Sequence, residues 1–108
     1  MQTPEYSVIL VTALSLEEAK KIAAVLLDKR KAACVNIVPQ VHSSFWWHGK
    51  IDKAEESLLV IKTTAAATQA VIDLVKANHS YTVPEIIALP IAGGNPDYLD
   101  WIKREVQP

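Results

Sequence analysis

The sequence predicts an α+β fold in the order βαββαβ, with one further helix at the C-terminus. Two observations indicate it: short β-branched and apolar runs typical of strands, and stretches with helical apolar spacing between them. Two βαβ halves in this order form the ferredoxin-like arrangement, a four-stranded antiparallel sheet with helices on one face. At 108 residues the chain is long enough for one domain with a small core, so we expect residues 1–108 to form a single domain.

The first half of the chain provides a strand, a helix and a long second strand. Residues 6–12 are mostly β-branched or apolar, which predicts a strand buried on both faces. A capping box at Ser15 and Glu18 begins the first helix. Residues 32–47 predict the second strand, in which Pro39 lacks an N–H donor and therefore indicates an edge position or a bulge.

The second half of the chain has the same order of elements, strand, helix and strand. It follows a predicted turn region at residues 49–52, and charged residues continue to position 56. We predict the third strand over residues 57–63, a helix over 64–78 and a fourth strand over 82–91. The final helix begins after Asn95, an N-cap residue that is followed by a proline at the first helical position.

Several of these strands are apolar on both faces, as at residues 8–11, 58–61 and 86–87. A sheet with one face in water should alternate polar and apolar residues. We therefore predict that the second face is covered by self-association, in a closed symmetric oligomer. The alternative is that the last helix and the loops suffice to cover it.

Composition excludes several classes of protein. The net charge is −1 and the basic residues form no long block, which argues against binding to nucleic acid through its phosphates. No apolar run approaches the ~20 residues of a membrane span. The N-terminal residues are polar and lack the pattern of a secretion signal, and a single cysteine cannot form an internal disulfide, so we expect a cytoplasmic protein.

Residues 43–50, SSFWWHGK, place three aromatic residues together beside a histidine. A stacking surface, a metal site and a dry protein contact all use such a stretch. The near-neutral charge disfavours a nucleic-acid platform. His42 and His48 would lie about 20 Å apart on one extended strand, too far to share a metal ion unless the chain bends at the turn.

The remaining candidates for chemistry are Cys34 and the polar stretch at residues 78–85. Cys34 lies in an apolar strand start with no base nearby in sequence, so we interpret it as a small buried residue rather than a nucleophile, and we predict no enzyme. His79 and Glu85 follow the second helix and offer an imidazole and a carboxylate to copper or zinc. A polar loop, in which His79 bonds helical carbonyls and Glu85 pairs with a lysine, is the simpler interpretation.

Several spaced motifs together carry a resemblance to a known family. They are Ala32-Ala33-Cys34-Val35-Asn36-Ile37, Ser43, Trp47-His48-Gly49-Lys50, Glu56, Ile61-Lys62-Thr63, His79-Ser80-Tyr81-Thr82-Val83-Pro84-Glu85-Ile86-Ile87 and Tyr98-Leu99-Asp100-Trp101-Ile102. In this order, over roughly residues 6–103, the chain resembles the CutA family of divalent-cation tolerance proteins.

The resemblance implies a homotrimer of ferredoxin-like subunits, similar in plan to the PII signalling proteins. It also implies a role in tolerance to metal ions, chiefly copper, with no established reaction. The alternative is a PII-like sensor, or a signalling or scaffold trimer, that binds a small ligand between subunits.

The sequence departs from the family at the proposed copper ligands. A first-strand cysteine is replaced by Val11, and the first histidine of a His-His pair is replaced by Asn78. Without a thiolate, tight copper binding is not expected. His79 and Glu85 remain, which suggests a weak site for copper or another divalent cation, completed by a neighbouring subunit.

The resemblance also suggests an interpretation of the aromatic stretch. It places Phe45, Trp46 and Trp47 near the end of a hairpin that extends beyond its own small core. Aromatic residues are favoured anchors in subunit contacts, so we predict that Phe45 and at least one of the two tryptophans lie at or near the trimer interface.

Overall fold

A computed structural model describes residues 3–107 as one antiparallel sheet with three helices, in the strand order β2-β3-β1-β4. The elements are β1 (Tyr6–Ala13), α1 (Leu16–Asp28), β2 (Cys34–Trp47), β3 (Lys50–Thr64), α2 (Thr68–Asn78), β4 (Ile86–Pro90) and α3 (Pro96–Glu105). This order confirms the predicted ferredoxin-like α+β fold. Across residues 3–107, every helix is too short or too polar to span a bilayer.

Capping hydrogen bonds confirm the predicted starts of α1 and α3. Ser15 accepts from the Glu18 N–H at 3.1 Å, and the Glu18 carboxylate accepts in return from the Leu14 N–H at 3.1 Å. Asn95 caps α3 by accepting from the Asp97 N–H at 3.1 Å. Each cap satisfies an N–H that has no partner within the helix, which explains why these helices begin where the sequence predicts.

The core lies between the sheet and the helices α1 and α2. Along β1, buried residues alternate with half-buried ones, so Ile9 and Val11 face the helices while Val8 and Leu10 face the opposite side. The core residues are Ile9, Val11, Ala13, Ala19, Ile22, Ala23, Leu26, Ala32, Leu59, Ile61, Val71 and Val75.

The opposite side of the sheet, called the open face below, is apolar and only partly covered. It is formed by Leu10, Val38, Leu58, Val60, Ile87 and Leu89. The side chains of Val38, Ile87 and Leu89 are exposed, and the other three are half-buried. α3 packs at one end of the sheet, where Ile102 and Val106 cluster with Tyr6 and Ala33. The last helix therefore leaves the open face in contact with water.

The hairpin of β2 and β3 extends well beyond the rest of the sheet. β3 pairs with β1 only over residues 57–64, whereas residues 50–56 pair only with residues 41–47 of β2. Residues 41–56, called the arm below, turn at His48 and Gly49, whose φ angles of 49° and 76° suit a tight hairpin turn. At its tip, Trp46 is 73% and Trp47 58% exposed.

Three predicted boundaries were wrong. β3 begins at Lys50 rather than at residue 57, because its charged half pairs with β2 and needs no apolar face. β4 covers residues 86–90 rather than 82–91, because its pairing with β1 begins only at Val11 and Ile86. The helix predicted from residue 64 starts as a 3-10 turn at Ala65–Ala67, capped by Thr64. The predicted irregularity at Pro39 is confirmed, since the β2–β3 register shifts between Val38 and Val41.

Candidate functional site

His79 is the centre of a polar cluster where β1 ends and the loop after α2 passes over it. Its side chain is fully buried. Nε2 lies 2.8 Å from the Thr12 carbonyl oxygen, and Nδ1 accepts from the Tyr81 N–H at 3.0 Å. Because a carbonyl can only accept, Nε2 carries the proton and Nδ1 is unprotonated. Both ring nitrogens therefore have partners within the chain.

Glu18 connects this histidine to the start of α1. Its two oxygens accept from the Leu14 and Ser80 N–H groups, each at 3.1 Å, and Oε1 lies 3.8 Å from Nδ1 of His79. Partial burial acts to raise the pKa of Glu18. The hydrogen bonds from Ser80 and Leu14, and the nearby His79, outweigh it and hold the pKa below its ordinary value. Glu18 thus presents a carboxylate beside the imidazole at neutral pH.

Tyr81 extends the cluster towards the base of the arm. Its hydroxyl donates to Oε2 of Glu56 at 2.8 Å, and its ring centroid lies 4.8 Å from that of His79. Burial, the hydrogen bond to Glu56 and the charges of Glu56 and Glu18 raise the pKa of Tyr81 to about 12. The phenol is therefore a neutral donor. Glu18, Glu56, His79 and Tyr81 are called the polar network below.

The predicted site residues fall in different places. His79 lies within the polar network, where it contacts Glu18 and Tyr81. Glu85 is an exposed residue of the same loop and is not among the groups that hydrogen-bond His79. Val11 is fully buried in the core, and the Asn78 amide donates to the Leu74 carbonyl at 2.8 Å, which ends α2. Val11 and Asn78, the two positions at which the resemblance implies metal ligands, therefore have structural roles.

The donor set of one chain does not make a complete metal site. Among residues 3–107, no three His, Cys, Asp or Glu side chains are grouped closely enough to hold an ion. A cation on Nδ1 of His79 would displace the Tyr81 N–H and would meet Glu18. One imidazole and one carboxylate are fewer ligands than a stable transition-metal site needs, so solvent or another chain would have to supply the rest.

The other candidate residues lie outside the polar network. Cys34 is half-buried, with Sγ 3.9 Å from the Asn36 amide oxygen. Burial and the neighbouring Cys34 thiol raise the pKa of Tyr98. His42 is exposed beside Glu55, with 3.8 Å between Nδ1 and Oε1, and His48 occupies the hairpin turn. None of these contacts supplies the adjacent base that a catalytic thiol needs.

Glu18, Glu56 and Tyr81 were not predicted from the sequence as site residues. Tyr81 and Glu56 stand in the quoted motifs, but the two are 25 positions apart and their hydrogen bond depends on the fold. Glu18 has a local role in the capping box that the sequence predicts. Its second hydrogen bond, from the Ser80 N–H, depends on the fold and could not be predicted.

The Glu18 carboxylate should make a pH-dependent contribution to stability. Its pKa is lower in the folded chain than the ordinary 4.5, so the contribution is present above about pH 4.5 and is lost as the pH falls through the folded-state pKa. We expect Glu18→Gln to lower the free energy of unfolding at pH 7 by about 1 kcal/mol, the scale of a lost capping contact. Urea denaturation at pH 7 and pH 3 would show a smaller difference from wild type at pH 3.

Glu17→Gln is the matched control, since Glu17 is exposed in the same helical turn. Its unfolding curve should stay close to wild type at both pH values. An equal loss of stability at pH 7 and pH 3 for Glu18→Gln would contradict the assigned role of the charge.

Comparison with known proteins identifies the relatives of this chain. The family model described as CutA1 divalent ion tolerance protein matches residues 7–105. The Thermus thermophilus divalent-cation tolerance protein CutA is 51% identical over 97 residues, which cover 90% of this chain and 94% of that protein. The solved structure of the Archaeoglobus fulgidus periplasmic divalent cation tolerance protein CutA has a TM-score of 0.92 at 49% identity, covering 94% of this chain and 99% of the other.

The coverage differs between groups of relatives. The chloroplastic protein CutA 1 of rice is 47% identical over 100 residues, which are 93% of this chain but 56% of the rice protein. The chain thus spans about half the length of this plant relative and nearly all of the Thermus protein. The relatives include chloroplastic and bacterial proteins, so the comparison does not indicate one compartment.

Proposed function

The chain belongs to the CutA1 divalent ion tolerance protein family, and we propose from this that it binds divalent cations and acts in tolerance to them. The observation that carries the proposal is the family match over residues 7–105, nearly the whole described chain. The relatives are named for tolerance to divalent cations, and their names describe no reaction. We propose the same for this chain, as a single domain without catalytic activity.

The proposed cation site is weak and includes His79. Its Nδ1 is the nitrogen without a proton, and the carboxylate of Glu18 lies 3.8 Å away, so a cation that displaced the Tyr81 N–H would meet two ligands. Glu85 is the further candidate ligand on the same loop. An imidazole with carboxylates suits copper among the common divalent metals, and the lack of a thiolate favours weak binding.

We further propose that the protein acts as a homotrimer. The open face supports self-association, since Val38, Ile87 and Leu89 are 41%, 50% and 45% exposed in one chain. The arm supports it too, because Trp46 and Trp47 at its tip have no core of their own to pack against. Phe45, Trp46 and Trp47 are the proposed contacts of the arm with a neighbouring subunit.

Calorimetric titration of Cu²⁺ tests the cation site. We expect wild type to bind weakly and His79→Ala to lose most of the heat of binding, because the variant lacks the only buried imidazole of the described chain. Glu85→Gln should weaken binding by roughly tenfold, as expected for one lost ligand. Circular dichroism at the titration temperature would verify that each variant is folded.

His42→Ala is the matched control, because His42 is an exposed histidine outside the polar network. Its isotherm should equal that of wild type. Indistinguishable isotherms for wild type and His79→Ala would exclude His79 as a ligand. Equal losses in His79→Ala and His42→Ala would indicate non-specific binding of copper to histidines.

A further inference from the structure

Glu56 is a nearly buried carboxylate for which residues 3–107 supply one hydrogen-bond partner. Glu56 is 8% exposed, and its Oε2 accepts a hydrogen bond from the Tyr81 hydroxyl at 2.8 Å. Within residues 3–107, Oε1 accepts no hydrogen bond and Glu56 forms no ion pair. Tyr81 is a neutral donor, so nothing in the described chain balances the charge of this carboxylate.

Oε1 of Glu56 is accessible to solvent. In the described chain, no fully buried side-chain oxygen or nitrogen lacks a hydrogen-bond partner. Since Oε1 has none, it retains contact with solvent. One accessible carboxylate oxygen beside a neutral phenol is a poor metal site, because a hard divalent cation needs several oxygen ligands. It is a good acceptor for a single cationic N–H donor.

The position of Glu56 connects it with the open face. Side chains alternate along β3, so Glu56 lies in one row with Leu58 and Val60 of that face. A molecule that covers Leu58 and Val60 would also remove water from Oε1. Burying a carboxylate without a cationic partner costs several kcal/mol, so the covering molecule should bring a cation to this point.

We propose that a second copy of this chain donates a lysine ammonium to Oε1 of Glu56, which completes the polar network across the subunit boundary. This inference rests on the self-association proposed above. The chain has suitable donors, because the ammonium groups of Lys50, Lys53 and Lys62 on β3 form no ion pair within the described residues. Charge complementarity of this kind would fix the register of one subunit against the next.

The test compares Glu56→Gln with Glu55→Gln. The two residues are adjacent on β3, but Glu55 is exposed, so only Glu56 should depend on a neighbouring copy. Sedimentation in a fixed urea concentration, over a range of chain concentrations, would give the midpoint of dissociation. We expect Glu56→Gln to raise this midpoint at least about tenfold, as for one partner of a buried charge pair, and Glu55→Gln to leave it nearly unchanged.

Each lysine is then changed to glutamine, alone and together with Glu56→Gln. Because Glu56 has no lysine partner among residues 3–107 of its own chain, a double variant that loses less than the sum of its single variants identifies a donor from another copy. Additive losses for every lysine would overturn the proposed donor. A Glu56→Gln midpoint equal to that of Glu55→Gln would show that Oε1 only meets water.

The outcomes also separate this inference from the proposal on which it rests. If wild type stays a single chain at every concentration, both self-association and the subunit-bridging pair are wrong. If wild type assembles but Glu56→Gln behaves like Glu55→Gln, only the pair is wrong. Circular dichroism of both variants would show that the fold is retained, since the glutamine oxygen can still accept from Tyr81.

Discussion

Val60→Asp is expected to convert the protein from an assembly into single folded chains. Val60 lies in the middle of the open face, opposite Leu10 on one side and Asn36 on the other. It is half-buried and outside the core, so an aspartate there stays hydrated in one chain and destabilises it little. In an assembly that covers the open face, the same carboxylate would be desolvated, which costs several kcal/mol.

Light scattering during size exclusion would measure this change directly. We expect the Val60→Asp variant to have the mass of one chain at concentrations at least about a hundredfold above those at which wild type is assembled, the effect of about 3 kcal/mol per chain. Its circular dichroism spectrum should match that of wild type.

Val83→Asp is the matched control, since Val83 is also apolar and exposed but lies on the loop before β4. It should leave the mass of wild type unchanged. An assembled Val60→Asp protein would show that the open face is not a subunit contact. A monomeric Val83→Asp protein would indicate that the subunit contact involves the loop before β4.

His79→Ala is expected to be the most destabilising single change in the polar network. It removes a fully buried ring, its hydrogen bond to the Thr12 carbonyl and the acceptor of the Tyr81 N–H. Loss of the ring leaves a cavity, and the two backbone groups lose partners in a site that is shielded from water. Together these effects should lower the free energy of unfolding by about 3 kcal/mol.

Urea denaturation at one chain concentration, with a chelator present, would measure this loss free of any contribution from metal. His42→Ala serves as the control and should change stability by less than about 0.5 kcal/mol, because His42 is exposed. If His79→Ala unfolded at the urea concentration of His42→Ala, the hydrogen bonds of the buried imidazole would not stabilise the fold as proposed.

Most of the fold could be predicted from the sequence because local signals agreed with each other. The capping residues Ser15 and Asn95 mark helix starts that the structure confirms through hydrogen bonds. The apolar run of β1 predicted burial on both faces, whereas in one chain only the residues that face the helices are buried and the others are half-buried. Pro39 correctly indicated an irregular edge strand, since proline cannot donate to a ladder.

The β3 half of the arm, residues 50–56, could not be predicted as a strand because it has no apolar pattern. Residues 50–56 are mostly charged, and they form a strand because the facing half of β2 supplies hydrogen bonds along the whole hairpin. Residues 44–53 are exposed on both faces in one chain, so this part of the hairpin shows no alternation of buried and exposed residues. Periodicity predicts strands only where one face is buried.

The candidate site could be predicted only in part. His79 was identified by its type and its place after a helix, but its partners come from β1, α1 and its own loop. Glu18 is 62 positions from Ser80, and no local pattern connects them. Glu85 was selected for its proximity in sequence, and it remains a proposed ligand.

The mass of the wild-type protein in solution tests most directly the claim that copies of this chain cover the open face. The proposed arm contacts and the Glu56 pair both depend on self-association. Sedimentation equilibrium over a wide range of concentrations should give three times the 11.9 kDa of one chain. A mass of 11.9 kDa throughout the range would contradict the trimer, and with it the interpretation of the open face as a subunit contact.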